Sequence, residues 1–242
     1  RMLEYKVSEV SHVMIIGYLQ KSSLIDYPGR VCAVVFTMGC NFRCPYCHNP
    51  ELVDGSLPPD LFPIEEVMSF LETRVGKLDA VSITGGEPCL QADLIPFMRR
   101  VRDLGFLVKL DTNGSRPDVL AQVIEEGLAD YLAMDIKAPL GKYPLTAGKE
   151  GAGEHIKESI GMIMGSPVPY EFRTTLVDRL LRPSDILEIG GMIKGARRYV
   201  LQRFVPTKPL DPSYADAWTF SDGEIAGLLE GLKHLVASCG VR

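Results

Sequence analysis

The chain has 242 residues, of which 46% are hydrophobic and 24% are charged, with 26 basic against 31 acidic side chains. A chain of this length can build one large hydrophobic core. Its net charge of −5 argues against general electrostatic binding to nucleic acid or to an anionic membrane. No uncharged apolar run approaches the roughly 18 residues that span a bilayer, so no membrane association is expected.

The amino-terminal segment differs from the rest of the chain. Residues 1–13 show little pattern, and Met14 directly precedes an apolar segment. We therefore expect 1–13 to be an extension or a tag remnant and 14–242 to form a single domain. No stretch has the features of a signal peptide, which favours the cytoplasm, where thiols stay reduced. In that compartment clustered cysteines indicate metal binding or catalysis rather than disulfides.

Short runs rich in β-branched residues recur along the chain and predict strands. These runs are 31–37, 80–84, 107–111, 131–136, 170–177 and 199–205. Most are continuously apolar, which is typical of parallel strands that are buried on both faces.

Longer amphipathic stretches between these runs predict helices. Apolar residues recur at helical spacing in 64–75, 94–104, 119–124 and 225–235. Gly105 and Gly127 follow where a carboxyl-terminal glycine is expected. The last helix opens with Ser221 and Glu224 at the spacing of a capping box.

The alternation of strands and helices indicates repeated βα units with right-handed crossovers. It predicts an α/β fold, a partial (β/α)6 TIM-like barrel with parallel strands, and an open doubly wound sheet is the main alternative. In either fold the chemistry lies at the carboxyl ends of the strands. The glycine- and proline-rich segments 138–154 and 206–217 follow the fourth and sixth strands, where they either cover a site or simply connect elements.

Residues 40–47 read CNFRCPYC and directly follow the first predicted strand. Iron–sulfur clusters are normally held by four thiolates, so three would leave one iron open to a substrate or cofactor. A zinc site or structural cysteines are the alternative, but no second pair of closely spaced cysteines completes a zinc site. We expect Cys32 and Cys239 to be structural, whereas Cys89 has no evident role.

The spacing of Cys40, Cys44 and Cys47, with Tyr46 before the third cysteine, resembles the signature of radical S-adenosylmethionine (radical SAM) enzymes. The resemblance implies one [4Fe–4S] cluster on these three thiolates, with S-adenosylmethionine chelating the fourth iron. In that family the reduced cluster cleaves S-adenosylmethionine to methionine and a 5′-deoxyadenosyl radical. His48 directly follows the third cysteine, and we expect it to form a local hydrogen bond.

A second motif, TGGEP, follows the second predicted strand. Gly85, Gly86 and Glu87 resemble the family motif whose backbone and acid receive the methionyl ammonium group. Glycines let the backbone approach a ligand closely. Taken alone, this motif would also suit an ordinary strand-to-helix turn.

The third and fourth predicted strands also end in polar residues. Asp111, Thr112 and Asn113 end the third strand, and Asp135 and Lys137 end the fourth. Asp111, Asp135 and Lys137 resemble positions that contact the methionyl end of the cofactor in related activating enzymes. In some of those enzymes two such aspartates also hold a monovalent cation. An ordinary turn or a solvated lysine would explain each motif alone, but their joint position predicts a shared site with Thr112 and Asn113.

Two further strands carry candidate residues. Arg173 resembles a family arginine near the carboxylate or ribose of the cofactor, and a structural ion pair is the alternative. Gln202 and Arg203 are candidates whose facing the sequence leaves open.

Several segments together resemble a single-domain group of glycyl radical enzyme activating enzymes, the anaerobic ribonucleoside-triphosphate reductase activating proteins. They read QKSSLIDYPG, CNFRCPYCHNPEL, TGGEP, DTNG, MDIKAP and LQRFVP. The resemblance implies a glycyl radical enzyme as protein substrate and, with too few cysteines for further clusters, an external electron donor such as flavodoxin or ferredoxin. The alternatives are a radical SAM enzyme acting on a small molecule or peptide, and an iron–sulfur electron carrier without enzymatic activity.

Overall fold

A computed structural model describes residues 14–53 and 62–242 of the chain. The predicted extension 1–13 lies outside the described residues. Within the described ranges, none of the helices combines the length and the apolar character needed to cross a membrane.

In the described part of the chain, eight strands form one sheet in which spatial order follows chain order. They are β1 (Ile16–Ser23), β2 (Cys32–Thr37), β3 (Ala80–Gly85), β4 (Leu107–Thr112), β5 (Tyr131–Asp135), β6 (Tyr170–Leu176), β7 (Tyr199–Arg203) and β8 (Cys239–Val241). Strands β2 to β8 are parallel, and β1 is antiparallel to β2. The sheet is open between β1 and β8, which confirms the predicted partial barrel of parallel strands.

Helices connect the parallel strands. They are α1 (Ile64–Glu72), α2 (Leu94–Asp103), α3 (Pro117–Glu125), α4 (Tyr143–Ala147), α5 (Gly153–Gly165), α6 (Pro183–Met192) and α7 (Asp222–Leu232). The predicted capping box of α7 is confirmed. The Ser221 hydroxyl accepts from the Glu224 backbone N–H at 3.3 Å, and the Glu224 carboxylate accepts from the Ser221 N–H at 2.9 Å.

Three features differ from the sequence-based expectations. The six expected strands are present as β2 to β7, but β1 and β8 at the sheet edges add two that the sequence did not predict. The segment 138–154, expected as a loop, contains the short helix α4. Helix α1 ends at Glu72, and Val75, which the periodicity assigned to the buried stripe, is 52% exposed.

Alternation along the strands separates two faces of the sheet. The larger apolar cluster packs between the sheet and its helices, and a smaller one contains Tyr27, Cys32, Val34 and Ala80. Cys32 has no exposed surface, in line with its expected structural role.

Candidate functional site

The loops that follow the carboxyl ends of the parallel strands surround a cavity of about 280 Å³. Every site residue predicted from the sequence lines it, namely Cys40, Cys44, Tyr46, Cys47, Gly85, Gly86, Glu87, Asp111, Thr112, Asn113, Asp135, Lys137 and Arg173. The structure therefore brings together motifs from β2 to β6. The role of each residue toward a cofactor stays a prediction.

The cysteine-bearing loop is tied to its surroundings by backbone hydrogen bonds. The Arg43 N–H donates to the Ala147 carbonyl at 2.7 Å, which joins the loop to the end of α4. The Asp211 N–H donates to the Pro45 carbonyl at 2.9 Å, which joins it to the segment after β7. These contacts hold the loop in place without using its thiols.

All three cysteines of this loop are free thiols. Cys44 is buried, whereas Cys40 and Cys47 are half-buried. Burial raises the pKa of Cys44 to about 12, so its thiol is protonated at neutral pH until a metal displaces the proton.

Among residues 14–53 and 62–242, no three His, Cys, Asp or Glu side chains are grouped closely enough to hold one metal ion. The buried Tyr46 hydroxyl adds a polar group at the cavity without a hydrogen-bond partner in the described part of the chain.

Glu87 joins two of the motifs. Its Oε1 accepts from the Cys89 N–H at 3.1 Å and from the Thr112 hydroxyl at 2.8 Å, and its Oε2 accepts from the Asn113 N–H at 2.7 Å. Burial raises the pKa of Glu87, although these hydrogen bonds oppose the rise. The carboxyl group thus links the TGGEP turn to the DTNG turn, and Cys89 serves this link through its backbone.

The two glycines of TGGEP are required by close packing. A Cβ on Gly86 would lie 2.1 Å from the Gly39 carbonyl oxygen, and Gly85 has φ +109°. The Glu87 N–H donates to the same Gly39 oxygen at 2.8 Å. The turn after β3 therefore rests directly on the backbone next to Cys40.

Four side chains on β4, β5 and β6, together with Lys137 two residues after β5, form a charged ring, defined as Lys109, Asp111, Asp135, Lys137 and Arg173. Lys109 pairs with Asp111. The Arg173 guanidinium bridges both aspartates, 3.1 Å from Asp111 Oδ2 and 2.6 Å from Asp135 Oδ1. Lys137 Nζ lies 3.1 Å from Asp135 Oδ2. Three cations against two carboxylates give the ring a net charge of +1.

Electrostatics keep the ring ionised. Burial would raise the pKa of Asp111 and Asp135, but Arg173 and the neighbouring lysines outweigh it and lower both values. Burial opposes protonation of Lys137, yet Asp135 holds its pKa well above the ordinary value. A monovalent cation at the two aspartates stays a prediction, and the ring's surplus positive charge disfavours it.

His48 forms a hydrogen bond as expected, but the partner lies far along the chain, after β7. Its Nε2 lies 3.0 Å from the Val205 carbonyl oxygen, and its ring lies 5.5 Å from that of Phe204. Burial lowers the pKa of His48, although the bond to Val205 raises it.

Some residues of the site escaped prediction. Phe42, Asn49, Val53 and Thr175 line the cavity, and we did not predict them as site residues. Lys109 carried a usable signal, because it lies two residues before Asp111 and therefore on the same face of its strand.

The family model of the radical SAM superfamily matches residues 34–180. The chain belongs to this superfamily. A protein of Methanocaldococcus jannaschii, provisionally named a glycyl-radical enzyme activating enzyme, is 36% identical over 197 residues, covering 79% of this chain and 80% of that protein. The 7-carboxy-7-deazaguanine synthase of Thermococcus kodakarensis is 28% identical over 211 residues, covering 79% of this chain and 80% of that enzyme.

The fold is also similar to that of solved structures. Streptococcus suis SuiB bound to S-adenosylmethionine aligns with a TM-score of 0.62 at 14% identity, covering 85% of this chain and 48% of SuiB. Membership of the superfamily implies a [4Fe–4S] cluster and S-adenosylmethionine. The three free thiols at the cavity fit the cluster.

Proposed function

We propose that this radical SAM enzyme activates a glycyl radical enzyme by abstracting a Cα hydrogen from a glycine of that partner. Cys40, Cys44 and Cys47 would hold the cluster. When bound, the cluster and S-adenosylmethionine supply reductive cleavage of the cofactor to methionine and a 5′-deoxyadenosyl radical. The observation that carries the proposal is the 36% identity, over most of both chains, to the relative named as an activating enzyme.

Side chains that line the cavity contribute to the proposed reaction. Lys137 and Arg173 line the cavity and carry positive charge suited to the methionyl carboxylate. The apolar side chains of Phe42 and Val53 line the same cavity and limit water there. These residues orient the cofactor and protect a reactive radical from solvent.

Exposed apolar side chains at the same edge of the sheet favour a polypeptide substrate. Leu145 in α4, Val205 after β7 and Trp218 are 63%, 55% and 74% exposed. The Trp218 backbone is fixed by two 3.0 Å hydrogen bonds with Asp178, which follows β6. Aromatic and aliphatic side chains on a fixed backbone are suited to contact a protein partner.

Electrons would come from outside the chain. Beyond the three cluster cysteines, Cys32 and Cys89 are buried and Cys239 lies in β8. No second set of clustered cysteines is present in the sequence. A flavodoxin or ferredoxin in the cytoplasm is therefore the proposed donor.

A radical reaction on a small molecule is the second candidate. The relative named 7-carboxy-7-deazaguanine synthase covers as much of this chain as the activating-enzyme relative, at 28% rather than 36% identity. The hypothesis of an electron carrier without enzymatic activity leaves the cavity unexplained, because a carrier needs no cavity beside the cysteines.

Anaerobic reconstitution separates these candidates. The reconstituted chain is mixed with dithionite and S-adenosylmethionine, and 5′-deoxyadenosine is measured by chromatography. A glycyl radical protein from the same genome is then added, and electron paramagnetic resonance (EPR) should show a doublet that collapses when its glycines carry deuterium at Cα. Cofactor cleavage without the doublet, for every such protein in that genome, would favour the small-molecule reaction. An intact cluster without cleavage would contradict both enzyme proposals.

A further inference from the structure

The side-chain amide of Asn113 lies against the cysteine loop. Its Nδ2 is 3.8 Å from the Cys40 sulfur and 3.0 Å from Asn41 Oδ1. Asn113 is only 5% exposed and sits in the turn after β4. The contact therefore joins two separate motifs inside the molecule.

The hydrogen-bond network fixes which end of the Asn113 amide faces the sulfur. The Ser115 backbone N–H can only donate, and it lies 2.9 Å from Asn113 Oδ1. The oxygen must therefore point toward Ser115, which leaves the NH₂ group at the Cys40 end. Asn41 closes the network by donating from its Nδ2 to the Ser115 hydroxyl at 2.8 Å.

The three cysteines differ in the donors that reach their sulfurs. Cys40 Sγ accepts from the Phe42 backbone N–H at 3.4 Å as well as from Asn113. Within the described residues, no hydrogen-bond donor to the sulfur of Cys44 or Cys47 is present. The electrostatic support is thus concentrated on one ligand of the proposed cluster.

We infer that Asn113 raises the reduction potential of the cluster by hydrogen bonding to the Cys40 sulfur. The inference rests on the proposed cluster at the three cysteines. One-electron reduction adds negative charge to the cluster and its thiolates, and an N–H aimed at a sulfur stabilises that charge. Asn113 is then a positioning residue that makes the cluster easier for the external donor to reduce.

The direct test is to measure the midpoint potential of the cluster in the reconstituted holoenzyme without S-adenosylmethionine. The potential is measured by redox titration monitored by EPR. Asn113→Leu and Asn113→Ala remove the amide. At the wild-type midpoint, the ratio of reduced to oxidised cluster should fall at least about threefold, equal to a shift of about −28 mV for one electron. Ser159→Ala is the matched control, because Ser159 donates to the Gly114 carbonyl of the same turn at 2.8 Å and does not line the cavity. Its potential should stay at the wild-type value.

A second measurement needs no variant. The wild-type holoenzyme is labelled with ¹⁵N in asparagine side chains, and pulsed EPR of the reduced cluster is recorded. A weak ¹⁵N coupling is expected from the N–H···S contact, and a purely structural role would not produce it. Unchanged potentials in the folded Asn113 variants, or no ¹⁵N coupling in the wild type, would overturn the inference. Failure of the wild type to assemble a cluster would instead contradict the proposed function.

Discussion

Individual residues in the charged ring show how a buried carboxylate is kept ionised. The only hydrogen-bond partner of the Lys109 ammonium group within the described chain is Asp111, and both side chains are largely buried. Removing the Asp111 charge would leave the Lys109 ammonium group without its partner in a place that water reaches poorly. Such a loss lowers the stability of the fold strongly, because water cannot solvate the unpaired charge that stays buried.

Asp111→Asn should therefore lower the free energy of unfolding by about 3–5 kcal/mol at pH 7. The folded pKa of Asp111 is lowered below its ordinary value, so its contribution is present above the unfolded pKa of about 3.9 and is lost as the pH falls through the folded value. The difference in free energy of unfolding between wild type and Asp111→Asn, measured by urea unfolding, should become smaller from pH 7 to pH 3.

The control for this prediction is Asp118→Asn. Asp118 pairs with Arg116 at 2.6 Å, but its side chain is 63% exposed. Its loss should cost at most about 1 kcal/mol. If Asp111→Asn lowers the free energy of unfolding by the same amount at pH 3 and at pH 7, the lost carboxylate charge is not the cause of the destabilisation.

Packing between elements explains which parts of the fold were predictable. Strands β2 to β7 have apolar residues on both faces, and their runs are visible in the sequence. β1 is an edge strand with the partly exposed segment QKSS, and β8 has only three residues, so neither carries a strong pattern. Helix α4 lies in a proline- and glycine-rich stretch, where the burial of Tyr143 against Phe42 supports it.

Gly86→Ala tests the contact between the TGGEP turn and the cysteine loop. Because a Cβ would meet the Gly39 oxygen at 2.1 Å, the two turns must move apart. We expect a loss of about 1–3 kcal/mol of stability and a lower iron and sulfide content after reconstitution.

Gly161→Ala in α5 is the matched control for this substitution. No atom outside its chain neighbours and its own helix backbone would lie within 4 Å of its Cβ, so stability should rise by about 0.5–1 kcal/mol with normal iron content. Normal iron content and unchanged thermal stability in Gly86→Ala would contradict the role given to this contact.

At the scale of the whole molecule, the order of the strands determines which loops surround the site. Because parallel strands end at one edge of the sheet, the sequence was enough to predict that the polar motifs meet. It was not enough to predict the Asn41, Asn113 and Ser115 network, which depends on distances between loops. Exposure of Trp218 also required the structure, since a lone tryptophan is as compatible with a core.

Trp218→Ala tests the proposed partner surface. We expect the apparent KM for the glycyl radical protein to rise at least about tenfold, because an anchoring aromatic side chain contributes 1.4 kcal/mol or more to binding. Cofactor cleavage without the partner should stay at the wild-type rate. Leu24→Ala is the control, since Leu24 is 76% exposed but precedes the opposite, amino-terminal end of β2. Equal partner KM values for wild type and Trp218→Ala would contradict the proposed surface.

The central claim is that three thiolates hold the cluster at which S-adenosylmethionine is cleaved. Formation of 5′-deoxyadenosine after anaerobic reconstitution and reduction tests it most directly. Cys40→Ala, Cys44→Ala and Cys47→Ala should each abolish this product, whereas Cys32→Ala and Cys239→Ala should retain most of the wild-type yield. Full yield from any of the first three variants, or loss of product in both controls while they stay folded, would contradict the claim.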